Sequence, residues 1–223
     1  YTHTGQPMPN ERGEGFEFGV RTQLLHDRFD VGLTYFQIER QNIRIANPDF
    51  EPTVDSELEK PQFIAGGLDR SKGYEFSANG KLTESLSLRA SVGTADARYI
   101  KSLDAYREGW KLPRTPEWNY AVGASYGLRN GVLKGLNLNA SWRAWSSYRL
   151  QDVAPSPTNL RYKLRADQGG VLDLAAGYGW RSGQRLRHTV RVAVKNVTDD
   201  IFVEGSGYYS LGRQFIASYA LEY

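Results

Sequence analysis

The chain has no cysteine, so neither a disulfide framework nor a thiolate metal site can form. It has no run approaching about 18 consecutive apolar residues, which excludes a transmembrane helix. Charge of one sign is also missing: 28 Lys and Arg stand against 25 Asp and Glu, a formal +3 with a pI near 9.0, and no basic run collects them. Nucleic acid is therefore a poor partner, since phosphate binding needs clustered cations. No signal-peptide pattern opens the chain and its first residue is Tyr1, from which a natural N-terminus lying upstream is expected. What is plentiful is 14 Tyr, 9 Phe, 5 Trp and 23 Gly, a mixture that favours strands over helices.

The strands show themselves by alternation, because successive side chains point to opposite faces. In "GFEFGVRTQLL", Phe16, Phe18, Val20, Thr22 and Leu24 share one side while Glu17, Gly19, Arg21 and Gln23 share the other. Phe29, Val31, Leu33 and Tyr35 mark a second strand, whose pattern turns polar at Gln37 and Glu39 as a strand does on leaving an apolar band. Further rows are Tyr74, Phe76 and Ala78; Leu86, Leu88, Ala90 and Val92; Trp118 to Tyr126; Leu136 to Ala144; Leu172 to Trp180; and Val190 to Val194. The last is "GRQFIASYALEY", with Phe215, Ala217, Tyr219, Leu221 and Tyr223 on one side. The sum is nine strands and no helix.

Short and long connections alternate. "HDR", "TES", "RNGVLKG" and "RSGQR" are turn-rich links, whereas the intervening loops cover roughly residues 46–70, 98–115, 150–169 and 197–211. An up-and-down sheet puts all the short turns at one end and all the long loops at the other, as outer-membrane barrels do. The apolar face is continuous; the opposite face holds Arg21, Lys81, Arg89, Asn137, Asn139, Arg143, Asp173, Arg187, Arg191 and Lys195. Aromatics sit at the ends of the apolar rows, at Trp118 and Tyr120, Tyr178 and Trp180, and Tyr219 and Tyr223, as at a lipid–water boundary. The expected fold is all-β, an antiparallel up-and-down transmembrane β-barrel, with strands of about 9 to 11 residues and a periplasmic C-terminus. A mean hydropathy of -0.55 does not oppose this, because barrel strands are apolar only at alternate positions. Nine is an odd count, and open strand edges cannot sit in lipid, so the strands belong to a larger barrel. The rival folds are a soluble β-sandwich binding module, with this face against a second sheet, and a small passive porin.

Six stretches follow one another in an order and spacing similar to the last part of TonB-dependent outer-membrane receptors of the ferric-siderophore type. They are "PNERGEGFEFGVRTQLLHDRFDVGLTYFQIERQNI", "SKGYEFSANGKLTESLSLRASVGTADARY", "RTPEWNYAVGASYGL", "VLDLAAGYG", "VKNVTDD" and "GRQFIASYALEY", together covering nearly all of residues 9–223. The resemblance implies that residues 1–223 are the final nine strands of a 22-stranded barrel whose N-terminal plug domain and TonB-contacting segment are absent from this chain. It implies also that Phe215, Tyr219, Leu221 and Tyr223 form the signal read by the barrel assembly machinery. Tyr223 stands where the family usually has Phe, and "NVTDD" departs from Asn-Leu-Phe-Asp while keeping Asn196 and Asp199.

The chemistry-bearing patterns are sparse. "GASYG" matches the G-x-S-x-G nucleophile elbow, and Asp173 and His188 follow Ser125 in hydrolase order. That elbow needs a strand-to-helix turn, whereas Ser125 lies inside an alternating strand, so no catalytic residue is expected. His3, His26 and His188 are scattered and predict no metal site. No cofactor is expected. The long loops combine aromatics with arginine at Tyr106, Arg107, Trp110, Tyr148, Arg149, Tyr162, Tyr208 and Tyr209. Rings stack on flat chelating groups and Arg attracts their negative charge, so these are the candidate contacts for a ferric siderophore or similar chelate. The other expected partners are the TonB complex, the assembly machinery and outer-membrane lipid.

Overall fold

The computed structural model describes residues 8–51, 60–151, 164–183, 185–203 and 208–223. Its strands are β1 (Arg12–Leu24), β2 (Phe29–Ala46), β3 (Phe63–Lys81), β4 (Leu86–Lys101), β5 (Trp118–Gly127), β6 (Leu136–Trp145), β7 (Tyr148–Arg149), β8 (Arg165–Ala166), β9 (Gly169–Ser182), β10 (Leu186–Lys195) and β11 (Gln214–Glu222). Nine of them form one antiparallel sheet in the order β1-β2-β3-β4-β5-β6-β9-β10-β11, while β7 and β8 pair separately in a small hairpin. Each long strand lies beside its predecessor and successor, the up-and-down arrangement that the turn pattern predicts. β1 and β11 do not pair with each other, so the sheet is a wall with two open edges.

Register decides which residues share a face. One lateral row runs Val20, Leu33, Phe76, Val92, Tyr120 and Ala144; the next runs Thr22, Val31, Ala78, Ala90, Val122, Trp142 and Leu172. These side chains have no second layer over them: Phe18 is 73% exposed, Val122 49% and Val192 50%. Among the described residues the buried apolar side chains are Ala97, Ala144, Tyr148, Ala166 and Val171, too few and too small for the core of a sandwich. A continuous bare apolar face on an antiparallel up-and-down hydrogen-bond ladder is the exterior of a membrane barrel, here an open section of one. The opposite face carries rows such as Gln23, Asp30, Asn79, Arg89, Gly123, Ser141 and Asp173.

Aromatic side chains band both rims of the apolar face. At the long-loop end Phe16, Tyr35 and Tyr74 touch in sequence at 6.0 and 5.2 Å, and Trp118, Tyr120 and Trp142 at 5.6 and 6.0 Å. At the short-turn end Tyr178 stacks on Trp180, and Trp180 lies parallel to His188 at 4.9 Å. His188 reaches Ser182 Oγ at 2.6 Å and the Tyr219 hydroxyl at 2.8 Å, so this one imidazole of the outer face is satisfied in place.

β5, β6, β10 and β11 keep to the expected 9 to 11 residues, whereas β1, β2, β3, β4 and β9 exceed it. β2 and β3 run 18 and 19 residues, and the loop expected over 46–70 begins only after Ala46 and ends at Phe63. The extra length projects beyond the apolar band at the long-loop end, where pairing continues but the outer face no longer needs to be greasy. Charged pairs replace apolar contacts there: Arg70 with Glu39 at 2.7 Å, and Arg40 with Asp69 at 2.7 Å. The Asp69 hydrogen bond raises the Arg40 guanidinium above its ordinary value, an effect opposed by partial burial. A bulge at Asn42, with φ of 60°, kinks β2 in this projecting part. At the short-turn end Gly135 has φ of +97° and its missing Cβ would lie 2.3 Å from the Gly179 carbonyl, so no other residue fits that turn.

Two outcomes test the wall. Arg introduced at Val122, Leu138 or Leu174 should cost folding into vesicles about 2–4 kcal/mol, whereas Ser125→Arg on the inner face should cost far less; equal costs would remove the lipid-facing assignment. Residues 1–223 expressed alone should give no heat- and protease-resistant monomer in detergent, because both sheet edges keep unpaired N–H and C=O groups.

Candidate functional site

The long-loop end is built by three connections folding onto one another. After β4, the segment 102–117 opens with one 3-10 turn at Ala105–Arg107 and then doubles back on β4. Gly109 N–H donates to the Tyr99 carbonyl at 2.8 Å, Tyr99 N–H to Trp110 at 3.0 Å, and Leu112 N–H to Ala97 at 2.9 Å. After β6, the β7–β8 hairpin brings Tyr148 opposite Ala166. The Arg114 N–H, on a residue with φ of 58°, donates to the Arg149 carbonyl at 2.7 Å and joins this hairpin to the previous loop. The buried Ser146 hydroxyl accepts the N–H groups of Glu117 and Trp118 at 2.8 and 3.3 Å, closing the same junction from below.

The third connection follows β10. Asn196 is 4% exposed with φ of 53°, and its side chain ties the loop together. Its amide donates to the carbonyls of Asp200 at 2.8 Å and Leu211 at 3.3 Å, while its Oδ1 accepts from the Thr198 hydroxyl and the Asp200 N–H. Its own N–H donates to Asp173 Oδ1 at 2.8 Å, and Asp199 Oδ1 accepts the Arg213 N–H at 2.6 Å. "NVTDD" thus makes a compact polar knot despite its departures from the family pattern. Phe202 then packs edge-on against Trp145 at 4.7 Å.

Four of the eight sequence-predicted contact residues form one surface. Arg149 lies over the Trp110 ring at 4.1 Å from its centroid, and Tyr106 meets Trp110 edge-on at 5.4 Å. Arg107 donates to the Tyr106 hydroxyl at 3.2 Å and pairs with Asp104 at 3.1 Å, which fixes the near side of the platform. Tyr148 does not join them. It is 6% exposed and its hydroxyl donates to the Val203 carbonyl at 3.0 Å, so it pins the β10–β11 loop from beneath. Tyr208 and Tyr209 stand apart on that loop, each 76% exposed. Tyr162 lies outside the described residues. An aromatic shelf flanked by guanidinium groups can stack a flat ring and offset negative charge, the chemistry expected of a chelate-binding surface.

The hydrolase pattern does not assemble. Ser125 is on the inner face, donating to Asn139 Oδ1 at 2.7 Å; His188 is on the outer face with Trp180; Asp173 holds Asn196. A triad cannot form across opposite faces of a sheet. Sequence reading missed Ser146 altogether, and it singled out Asn196 and Asp173 without their role in tying the loops. The Asp173–Asn196 link was accessible in principle, since pairing of Leu174 with Val194 brings the ends of β9 and β10 together.

Residues 1–197 match the family described as TonB dependent receptor-like, beta-barrel. The chain belongs to the TonB-dependent receptor β-barrel family. Members of this family are outer-membrane proteins of Gram-negative bacteria, and they act as transporters instead of enzymes. The metal-pseudopaline receptor CntO of Pseudomonas aeruginosa is 29% identical over 140 residues, 61% of this chain and 18% of the relative. The ferrioxamine B receptor of Salmonella typhimurium is 24% identical over 219 residues, 96% of this chain and 28% of the relative. The TonB-dependent receptor chain thus spans under a third of the length of these curated relatives. In structure it is similar to BauA, the ferric preacinetobactin receptor of Acinetobacter baumannii, with a TM-score of 0.80, 20% identity, and coverage of 98% of this chain and 31% of the other.

The role of Tyr148 as a tie for the loop is testable. In the full-length receptor, Tyr148→Phe removes one hydrogen bond, about 1 kcal/mol, and should speed chymotrypsin cleavage at Tyr208 and Tyr209 roughly fivefold. Unchanged cleavage would remove this role from Tyr148.

Proposed function

We propose that residues 1–223 are the C-terminal part of a receptor that captures a ferric siderophore or similar chelate at its external loops and imports it with TonB-derived energy. In this reading an N-terminal plug and the TonB-contacting segment lie elsewhere in the full protein. The C-terminus is periplasmic, and Phe215, Tyr219, Leu221 and Tyr223 guide assembly. The observation that carries the reading is the Tyr106–Trp110–Arg149 platform at the long-loop end of a membrane wall. The relatives' names support it, since each is a receptor for a metal chelate. No covalent step is required of these residues. Ligand is held by stacking and charge and passes down the inner wall.

The test uses the full-length receptor in cells starved of iron. Trp110→Ala with Arg149→Ala removes a ring and a cation, each contributing on the order of 1 kcal/mol, and should weaken binding of the transported ferric chelate by at least about tenfold. Radio-iron uptake should fall in parallel while surface abundance of the receptor stays constant. Full uptake by a receptor lacking the whole platform would overturn this placement of the ligand.

A further inference from the structure

We propose a site for one phospholipid on the outside of the wall, running from Arg185 at the short-turn end to an alanine-floored groove over β5, β6, β9 and β10. The inference rests on the lipid-facing assignment of this face. It begins at Tyr223, which stands where the family usually has Phe. The added hydroxyl accepts a hydrogen bond from Arg185 Nη1 at 2.7 Å, and the guanidinium carbon lies 5.8 Å from the centre of the same ring. Tyr223 follows β11 in the outward row of Phe215, Tyr219 and Leu221. The contact therefore draws the Arg185 side chain, exposed in the link from β9 to β10, onto the outer face. It uses one of the five donors of the guanidinium and fixes the direction of the others.

From Arg185 inward the surface changes in the order that a lipid does. First comes a shelf of Trp180, His188 and Tyr219, locked by the bonds of His188 to Ser182 and to the Tyr219 hydroxyl. Rings with polar atoms at their edges suit the boundary between headgroup and hydrocarbon. Four residues further along β9 a groove of about 470 Å³ opens, floored by Ala124, Ala140 and Ala176 between Leu138, Leu174 and Val192. Register makes it: Ala140 lies opposite Ala124 and Leu174, and Ala176 opposite Leu138 and Val192, so short side chains sit among taller ones. Trp180 and Ala176 are about 13 Å apart along the strand, roughly 10 Å along the membrane normal once the strand tilts, against about 15 Å for half the hydrocarbon thickness. An acyl chain whose phosphate rests at Arg185 thus ends in the groove. Chemistry decides the occupant: the guanidinium and hydroxyl call for an oxyanion, and the groove calls for a hydrocarbon chain. A phospholipid carries both at this spacing.

The test titrates the full-length receptor, purified in detergent, with phosphatidylglycerol and with diacylglycerol of the same chains, and counts bound lipid by native mass spectrometry. The first phosphatidylglycerol should bind about tenfold tighter than diacylglycerol. Arg185→Gln should abolish that preference and Arg185→Lys should keep most of it, which controls for folding. Tyr223→Phe should weaken it roughly threefold by releasing Arg185. Ala176→Phe fills the groove and should weaken both lipids about tenfold. Equal binding of the two lipids, a preference that survives Arg185→Gln, or a receptor dimer that takes up no lipid overturns the proposal. Failure of the lipid-facing assignment itself would show separately, in equal costs of arginine at Val122 and Ser125. Import is not part of the readout, so a receptor that keeps the preference without importing a chelate faults the transport reading alone.

Discussion

The middle of a bilayer holds no water, so every backbone N–H and C=O there must be bonded within the protein. Between its two open edges, the sheet from β1 to β11 meets this requirement by antiparallel pairing of each strand with the next. Everything else follows from that ladder. Because side chains alternate across it, one face is free to be apolar and the other polar, and register makes the two faces continuous over all nine strands. A soluble protein of this size would hide its large side chains in a core, whereas here Phe18, Val122 and Trp142 stand bare on the outside.

The constraint relaxes at the rims, and the structure changes character there. Where the apolar band ends, β2 and β3 continue with charged pairs on faces that no longer meet hydrocarbon. Irregular backbone becomes possible because water or polar side chains can satisfy it. Ser146, Asn196 and Asp199 do this within the loops, each bonding backbone N–H groups. The Tyr106, Trp110 and Arg149 side chains meet on loops that these ties hold to the scaffold.

The inner wall is a third environment. It is wet, so charge is tolerated, yet it is shaped by close-packed strands, so glycines such as Gly123 decide where a long side chain can lie. Charge is balanced locally where the structure shows a pair, as Arg21 is held by Asp30 at 2.8 Å within the wall.

Alternation alone was enough to read the strands, their order, the two faces and the separation of short turns from long loops, because in lipid each of these is enforced at every second residue. The ends of β2 and β3 escaped that reading, since beyond the membrane the apolar signal stops while the hydrogen-bond ladder does not. The loop chemistry was legible only as composition. Tyr148 and Arg149 are neighbours in sequence with the same apparent promise, yet one is buried under Val203 and the other lies over Trp110. Asp173 and His188, which suit a triad on paper, sit on opposite faces of the sheet. Local periodicity specified the wall because the solvent on each side acts on every residue alike. Which loop side chains meet depended on contacts between residues far apart in the chain, and these exist only once the strands are aligned.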